Sequence, residues 1–201
     1  MDDIPITDLD SAALQACIHD LDAHFALKTL GSVNYFLGFE TYRDKSGLYL
    51  TQSKYVFDLL KKAAMIECKP CENPVNLAVS LTDEGEPFVD SSLYRTIVGS
   101  LQYLTYTRPD IAFGVNKLSH FLSNPKQQHW LACKRLLRYL KGTVGLGLFF
   151  SPSNTDLSLN VYTDADHAGC RVSRRSTSEV CVFLGNNLRV CLIARFSIEN
   201  V

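Results

Sequence analysis

The sequence predicts an α+β protein in which a helical middle is flanked by two regions of short strands. Apolar residues between Ser91 and Gly142 recur at helical spacing, whereas the segments on either side show strand character between turn residues. With 46% hydrophobic and 20% charged residues in 201 positions, the chain has the composition of an ordinary globular protein. This length suits one large domain or two small ones.

The N-terminal part begins with a predicted helix that runs to about His24. Aspartates between Asp8 and Asp10 can cap this helix and suit the positive end of its dipole. Its apolar residues recur on one side, so we expect them to form a buried stripe. These residues are Leu14, Cys17, Ile18, Leu21 and Phe25.

Two strands and a second helix follow. Residues Val33 to Tyr42 and Leu48 to Thr51 favour strands, with a turn at Asp44-Lys45-Ser46-Gly47 between them. Gly38, inside the first strand, indicates a bulge or a close approach of another backbone. The second helix is predicted from Ser53 to Ala64. Its expected buried residues are Val56, Leu59, Leu60 and Ala63.

The middle of the chain is predicted to contain a linker and then three helices. The segment from Cys68 to Asp90 holds three prolines and an acidic run, which favour a linker. Arg108-Pro109-Asp110 and Asn124-Pro125 separate the helices, because proline disfavours helix at the residue before it. The apolar residues at helical spacing are Tyr94, Ile97, Val98, Leu101, Leu104, Thr105, Ile111, Val115, Leu118, Leu122, Trp130, Cys133, Leu137 and Leu140.

The C-terminal part is predicted to form two strand pairs. Residues Leu146 to Phe150 and Leu157 to Tyr162 are the first pair, with a proline-containing turn between them. Residues Val180 to Leu184 and Leu188 to Ala194 are the second pair, joined by a glycine and two asparagines. A small antiparallel sheet is therefore expected here.

Charge is distributed unevenly although the net charge is −1. Residues Met1 to Leu27 contain six acids and no Lys or Arg, and residues Ile111 to Thr155 contain six basic residues and no acid. The third helix of the middle region carries its basic residues largely on one face. They are Lys134, Arg138 and Lys141, with Arg135 beside them. Such a face can bind phosphate or can simply be solvated, and spacing leaves both interpretations open.

Two pairs of aspartates are candidate metal ligands. Asp164 and Asp166 lie on one face at the end of an apolar strand, where hard oxygen ligands suit Mg²⁺ and two-metal phosphoryl transfer. Capping of a turn is the commoner role of such aspartates, and it remains open here. Asp2 and Asp3 are adjacent, so on a strand they would point to opposite faces. Spacing alone favours a solvated terminus for them.

Cysteine use and hydropathy restrict the class of protein further. Seven scattered cysteines do not form the pattern of a secreted disulfide framework. Cys68 and Cys71 form a lone C-x-x-C, for which ordinary reduced thiols are favoured over zinc. No apolar run has the roughly 18 residues of a membrane span, and the acidic start is not a signal peptide. A cytoplasmic or nuclear protein without a membrane anchor is therefore expected.

A long series of short motifs runs in order from Met1 to about Leu188. They are Phe25-Ala26-Leu27-Lys28, Tyr35-Phe36-Leu37-Gly38, Leu50-Thr51-Gln52, Tyr94-Arg95, Val98-Gly99-Ser100-Leu101-Gln102-Tyr103-Leu104, Thr107-Arg108-Pro109-Asp110-Ile111, His129-Trp130, Arg138-Tyr139-Leu140-Lys141-Gly142-Thr143, Asp164-Ala165-Asp166 and Arg174-Arg175-Ser176-Thr177-Ser178. On these motifs the chain resembles the Pol polyprotein of copia-type retrotransposons. The match extends from the late part of the reverse transcriptase into ribonuclease H.

The resemblance implies an arrangement of segments. Residues 1–66 would be the end of the reverse transcriptase palm, a primer-grip-like hairpin and a first thumb helix. Residues 67–90 would be a linker, and residues 91–145 a helical thumb and connection region. Residues 146–201 would be a truncated ribonuclease H-like domain with an incomplete sheet.

The resemblance also implies roles for individual residues. Asp2 and Asp3 match the aspartate pair that binds the polymerase metals, and Asp164 matches the first metal ligand of ribonuclease H, with Asp166 a weaker second. Leu37 and Gly38 fall in the primer grip. The implied cofactor is Mg²⁺, and the implied partner is a template–primer or an RNA–DNA hybrid. Its phosphates would be tracked by Lys134, Arg135, Arg138 and Lys141.

Departures from the family pattern argue against catalysis. Met1 stands where the family has a small apolar residue, and Pro5 interrupts an apolar strand. Glu179 replaces a glycine, and from Arg189 onward the pattern stops. A two-metal site needs several carboxylates from separate elements. We therefore expect a truncated, catalytically inactive fragment of an RNA-directed DNA polymerase and ribonuclease H, for which the missing Pol segments are possible partners. The alternative is a retained, non-catalytic nucleic-acid-binding module.

Overall fold

The computed structural model describes residues 11–28, 33–151, 158–166 and 176–196, together with Ile4, Ile6 and Gly31. The described chain forms α-helices and two antiparallel sheets, so the predicted α+β class is confirmed. None of the described helices is both long and apolar enough to cross a membrane.

The first helix, α1, is Ser11–His24, as the sequence predicts. The expected buried stripe is wrong, because α1 has no buried residue. Its apolar residues are half-buried or exposed, and the exposed fraction of Phe25 is 63%. The helix begins directly after Asp10 and has no acid in its first turn; the aspartates predicted to cap it lie outside the described residues. An apolar periodicity predicts a helix, but burial also needs a second element to cover that side.

The first sheet has the strand order β1-β2-β3-β4. The strands are β1 (Tyr35–Phe36), β2 (Phe39–Arg43), β3 (Leu48–Thr51) and β4 (Leu148–Phe150). The prediction of one continuous strand from Val33 to Tyr42 is wrong. Instead Leu37 and Gly38 form a two-residue turn between β1 and β2, with positive φ angles of 48° and 84°. Two positive φ angles are the signature of a type I′ hairpin turn, which matches the twist of the flanking strands.

Strand β4 is not paired as predicted. The expected hairpin with residues 157–162 is wrong, because Leu148 and Phe150 pair with Leu50 and Leu48 of β3. Glycines before both strands permit this close approach. A Cβ atom on Gly147 would lie 2.1 Å from the Leu50 carbonyl oxygen, and one on Gly47 would lie 2.2 Å from that of Phe150. A side chain does not fit at either position.

Four helices form the hydrophobic core: α2 (Ser53–Lys62), α3 (Ser91–Leu104), α4 (Ala112–Ser119) and α5 (Gln127–Gly142). The predicted breaks are confirmed, and a 3₁₀ turn, Pro109–Ile111, precedes α4. We call these four helices and the connections among them the helical body. Most apolar positions predicted for it are buried, among them Val56, Leu59, Leu60, Tyr94, Ile97, Val98, Leu101, Leu104, Ile111, Val115, Leu118, Trp130, Cys133, Leu137 and Leu140.

The segment predicted as a linker has no helix or strand, yet it packs along α5. The Phe88 ring stacks on Trp130 with their centroids 4.9 Å apart. The Gln127 amide donates to the Glu86 carbonyl at 2.9 Å. His129 Nδ1 accepts from the Lys126 amide, so its Nε2 carries the proton and donates to the Thr82 carbonyl at 2.9 Å. The segment is therefore part of the helical body.

A buried arginine before the 3₁₀ turn binds the residue that follows α5. Arg108, only 2% exposed, donates to both carboxylate oxygens of Asp110, at 2.9 and 2.7 Å. It also donates to the carbonyl and hydroxyl oxygens of Thr143, at 2.8 and 2.7 Å. Burial opposes ionisation of Asp110, yet hydrogen bonds from Arg108 and Tyr139 keep the pKa of this carboxyl below its usual value. The Arg-Pro-Asp motif is therefore explained by structure.

The second sheet has the strand order β5-β6-β7, with β5 (Leu159–Ala165), β6 (Ser176–Leu184) and β7 (Asn187–Phe196). The predicted hairpin between the last two strands is confirmed, and both strands are longer than expected. Reciprocal hydrogen bonds join this sheet to the end of β4. The Ser151 amide donates to Asn187 Oδ1 at 2.8 Å, and Asn187 Nδ2 donates to the Ser151 carbonyl at 3.2 Å.

Candidate nucleic-acid interface

The turn between β1 and β2 lies against the C-terminal half of α3. The Tyr103 hydroxyl donates to the Leu37 carbonyl. A Cβ atom on Gly38 would lie 3.6 Å from Tyr103 Cε1 and 3.9 Å from Tyr55 Cδ2. The predicted close approach at Gly38 is thus to side chains rather than to backbone. Leu37 itself is 69% exposed.

Aromatic rings hold Tyr103 in place below the turn. Its ring centroid lies 5.6 Å from that of Phe39, 5.4 Å from Tyr55 and 5.9 Å from Tyr106. Partial burial, with a smaller effect from Tyr55, raises the pKa of Tyr103. The hydroxyl therefore stays protonated and remains a donor to Leu37. The turn is therefore bonded to a tyrosine that packs among three other aromatic rings.

Strand β2 is also fixed to the start of α2. The Lys54 amide donates to Glu40 Oε1 at 2.7 Å, which places a carboxylate at the positive end of the helix. Nζ of the exposed Lys54 lies 5.5 Å from the centroid of the Tyr35 ring. Because Tyr35 is itself 55% exposed, a cation and an aromatic face lie beside the turn.

Helix α3 presents an open outer face next to the hairpin. Arg95, Gly99 and Gln102 follow one another at helical spacing, Tyr106 continues the row in the turn after α3, and all four are exposed. A Cβ atom on Gly99 would meet nothing within 4 Å. Glycine inside a helix costs about 0.5–1 kcal/mol relative to alanine, and nothing in the described structure requires it here. This face was not predicted from the sequence, although Gly99 within a helical pattern was the available signal.

The four basic residues predicted on α5 are divided between two roles. Arg135 Nε donates to the Asn73 carbonyl at 3.0 Å, and Arg138 Nε donates to the Lys69 carbonyl at 2.7 Å. These arginines hold the packed segment on α5. Lys134 and Lys141 instead lie over aromatic rings, with Nζ 5.6 Å from the Trp130 centroid and 5.9 Å from the Phe57 centroid, respectively. All four side chains are half-buried.

The predicted metal ligands are not brought together in the described residues. Asp2 and Asp3 lie outside those residues. Asp164 Oδ1 accepts from the Ala165 amide at 2.9 Å, and Asp166 Oδ1 accepts from the Thr177 amide at 2.6 Å. The described chain contains no group of three or more His, Cys, Asp or Glu residues that could hold a metal ion. Asp164 lies within β5 and Asp166 directly after it, and in the described structure each carboxylate accepts a hydrogen bond from a backbone amide of the sheet.

Comparison with known proteins identifies the family. The family model of reverse transcriptase (RNA-dependent DNA polymerase) matches residues 1–77. An uncharacterised mitochondrial protein of Arabidopsis thaliana is 40% identical over 188 residues, covering 94% of this chain and 78% of that protein. No solved structure matches the chain.

Two relatives are much longer polyproteins. The retrovirus-related Pol polyprotein from transposon RE1 of Arabidopsis thaliana is 43% identical over 188 residues, covering 93% of this chain and 13% of the polyprotein. The Pol polyprotein from transposon TNT 1-94 of Nicotiana tabacum is 37% identical, covering 89% of this chain and 14% of the polyprotein. The chain thus spans a small part of these relatives. It belongs to the reverse transcriptase family of copia-type retrotransposon Pol polyproteins and corresponds to one segment of them.

Proposed function

We propose that the hairpin and the helical body hold a template–primer or an RNA–DNA hybrid without catalysing its synthesis or cleavage. The observation that carries this proposal is the turn at Leu37 and Gly38, fixed by Tyr103 beside the open face of α3. A protruding backbone turn next to a helix face without side-chain bulk at Gly99 suits close contact with a nucleic-acid backbone.

The side chains around this place have the chemistry that such contact needs. Lys54 and Arg95 supply positive charge for phosphates, and phosphate contacts fix the position of a nucleic acid without reading its sequence. Tyr35 and Tyr106 are 55% and 69% exposed, and they can stack on sugars or bases. Tyr35, Lys54 and Tyr106 lie close to the turn, whereas Arg95 lies two helical turns earlier on α3, where it also donates to the Leu122 carbonyl.

Helix α2 connects this surface to α5. Phe57 lies one turn after Lys54 on α2, and Lys141 lies over the Phe57 ring. We propose that Lys141 and Lys134 extend the phosphate-binding surface along α5. Arg135 and Arg138 support it by keeping the packed segment in place, and they add to the positive potential of α5.

Within this proposal the segments take the roles that the resemblance implies. Residues 1–66 would be the end of the palm, the primer-grip-like hairpin and a first thumb helix, residues 67–90 a linker, and residues 91–145 the thumb and connection region. Residues 146–201 would be the ribonuclease H-like part. The absence of hydrolysis in this proposal rests on the departures of the sequence from the family pattern, such as Glu179 in place of a glycine.

Binding is tested by fluorescence anisotropy with a labelled RNA–DNA hybrid. We expect affinity to fall steeply between ~50 mM and ~200 mM salt, because phosphate neutralisation releases counterions. Lys54→Ala should weaken binding and reduce the salt slope by about 1. Lys45→Ala, in the exposed turn between β2 and β3, is the matched control. The proposal fails if no binding is seen at low salt, or if both variants lose affinity equally.

Absence of catalysis has a separate test. The intact chain is incubated with an RNA–DNA hybrid and Mg²⁺ or Mn²⁺, and products are separated by gel electrophoresis. We expect no cleavage. Metal-dependent cleavage that is lost in Asp164→Asn would overturn this part of the proposal and leave the binding part standing.

A further inference from the structure

Two cysteines face each other across the hairpin of the second sheet. Cys181 on β6 is directly opposite Cys191 on β7, and their Sγ atoms lie 2.8 Å apart. Both are free thiols and both are half-buried, so reagents can reach them. Neither has a role in the proposed nucleic-acid interface.

The backbone already has the geometry that a disulfide requires. Directly opposite residues of an antiparallel pair have Cα atoms about 4.5–5.5 Å apart. A disulfide needs about 4.4–6.8 Å between its Cα atoms, so the bond can form without moving either strand. The two side chains also share one face of the sheet, since their sulfur atoms are in contact.

We propose that Cys181 and Cys191 are a redox modification site, oxidised to a cross-strand disulfide by a small-molecule disulfide. In the first step the Cys181 thiolate attacks one sulfur of the reagent, forms a mixed disulfide and releases one small thiol. In the second step Cys191 loses its proton to solvent and attacks Cys181 Sγ, which releases the second thiol. The reagent gains two electrons and two protons, and the two cysteines lose them.

The surroundings of the two thiols fix the order of these steps. Burial, with a hydrogen bond to Cys181, raises the pKa of Cys191, which disfavours Cys191 as the first nucleophile. Cys181 lines an open cavity with Tyr162 and Phe183, which gives a reagent access to its sulfur. Once Cys181 is in the mixed disulfide, its hydrogen bond to Cys191 is lost and the second thiol is free to react.

The other described cysteines are not arranged in this way. Cys133 is fully buried in the core, and burial raises its pKa to about 12. Cys17 is exposed on α1. The Cys71 thiol of the C-x-x-C motif donates to the Arg135 and Asn73 carbonyls at 3.4 and 3.6 Å. The cross-strand pair is therefore the one expected to oxidise first among the described thiols.

The bond would fasten β7 to β6 at the centre of their ladder. Strand β7 is an edge strand of the second sheet, and it contains the residues from Arg189 onward where the family motifs stop. Next to the pair, the register shifts between Val182 and Phe183. A covalent link beside an irregular register would keep β7 from slipping along β6.

The test uses the intact chain incubated with oxidised glutathione, then alkylated and mapped by mass spectrometry without reduction. We expect a peptide cross-linked through Cys181 and Cys191, and a fall in free thiols from seven to five. The cross-link should form at least tenfold faster than any bond between Cys68 and Cys71. Dithiothreitol should restore both thiols.

Variants separate the proposal from general thiol reactivity. Cys181→Ser should abolish the cross-link, whereas Cys17→Ser, an exposed cysteine outside the sheet, should leave its yield unchanged. If Cys181→Ser fails to fold, the mapping of cross-links in the unmodified chain still tests the proposal. Glutathione retained on Cys181 without a cross-link, or alkylation of Cys181 and Cys191 after oxidation as fast as before it, would overturn the proposal.

Discussion

The helical body and the second sheet are stabilised in different ways. The apolar residues that are buried among those the structure describes all lie between Val56 and Leu140, in the helical body. In the second sheet β5 is exposed along its whole length, and the described side chains of β6 are half-buried. The body is therefore held by side-chain packing, whereas the sheet depends on its backbone ladder and on cross-strand pairs.

This difference predicts which substitutions should lower the stability of the protein. A packed core is sensitive to the loss of a few methyl groups, because the cavity left behind is only partly closed by relaxation. A sheet with little buried surface has small packing energy to lose. Four substitutions or changes of condition can break or sharpen this comparison, and Trp130, as the single tryptophan, reports unfolding of the body by fluorescence.

Loss of a core leucine should have the largest effect. Leu137 is fully buried, so Leu137→Ala should lower the free energy of unfolding of the body by about 3 kcal/mol. Leu192 on β7 is 61% exposed, so Leu192→Ala should change the free energy of unfolding by less than about 0.5 kcal/mol. Urea denaturation followed by Trp130 fluorescence and far-UV circular dichroism measures both. Equal losses would show that the two regions are not stabilised differently.

Removal of the buried Arg108 guanidinium should have the second-largest effect on the free energy of unfolding. Arg108→Met leaves the Thr143 carbonyl without its Arg108 donor and leaves Asp110 with only the hydrogen bond from Tyr139 among the side-chain donors described above. Breaking a buried pair typically costs 3–5 kcal/mol, but Asp110 is 37% exposed, so we expect about 2 kcal/mol. Arg43→Met, at an exposed position of β2, is the control and should have little effect. A neutral Arg108→Met in urea denaturation would rule out a structural role for the Arg-Pro-Asp motif.

A side chain at Gly147 should disturb only the attachment of β4. The added methyl group would lie 2.1 Å from the Leu50 carbonyl oxygen, so the β3–β4 pair must shift. Such overpacking costs about 1–2 kcal/mol. Gly145→Ala is the matched control, since its Cβ would meet nothing within 4 Å. Hydrogen exchange of the β3 and β4 amides measures the effect, and equal exchange in both variants would contradict the observed pairing.

Acidification should have the smallest effect and should act on the body alone. Burial lowers the pKa of His129 below its usual value of 6.5. The unfolded chain then binds a proton more readily than the folded one, so stability is full above about pH 6.5 and falls as the pH drops through the folded pKa. Urea denaturation at pH 7 and at lower pH, with nuclear magnetic resonance titration of His129, measures this. The described second sheet has no histidine, and the exchange of its amides should not follow the same curve.

The helical body was predictable from sequence because its signals are local. Helical spacing of residues such as Ile97, Leu101 and Leu104 fixed both the helices and the side that is buried. Prolines at 109 and 125 marked the breaks between helices for a steric reason that needs no knowledge of the rest of the fold. Periodicity fails where burial needs a partner, as the exposed apolar side of α1 shows.

Long-range pairing was not predictable in the same way. Nothing within Leu148–Phe150 indicates that its partner lies about a hundred residues earlier in β3, and a local hairpin was the simpler expectation. The hydrogen bonds of Arg135 and Arg138 to a distant segment are invisible in helical spacing for the same reason. In the candidate interface, family resemblance indicated Leu37 and Gly38, but the outer face of α3 emerged only from the structure.

The turn at Leu37 has a thermodynamic consequence of its own. A leucine with a φ of 48° is in the left-handed region, which costs an L-residue with a Cβ about 1–2 kcal/mol. Asparagine suits this first position of the turn far better. Leu37→Asn should therefore raise the free energy of unfolding while it weakens the binding of an RNA–DNA hybrid. At this position, hairpin stability would favour asparagine, whereas a hydrophobic contact with nucleic acid would favour leucine.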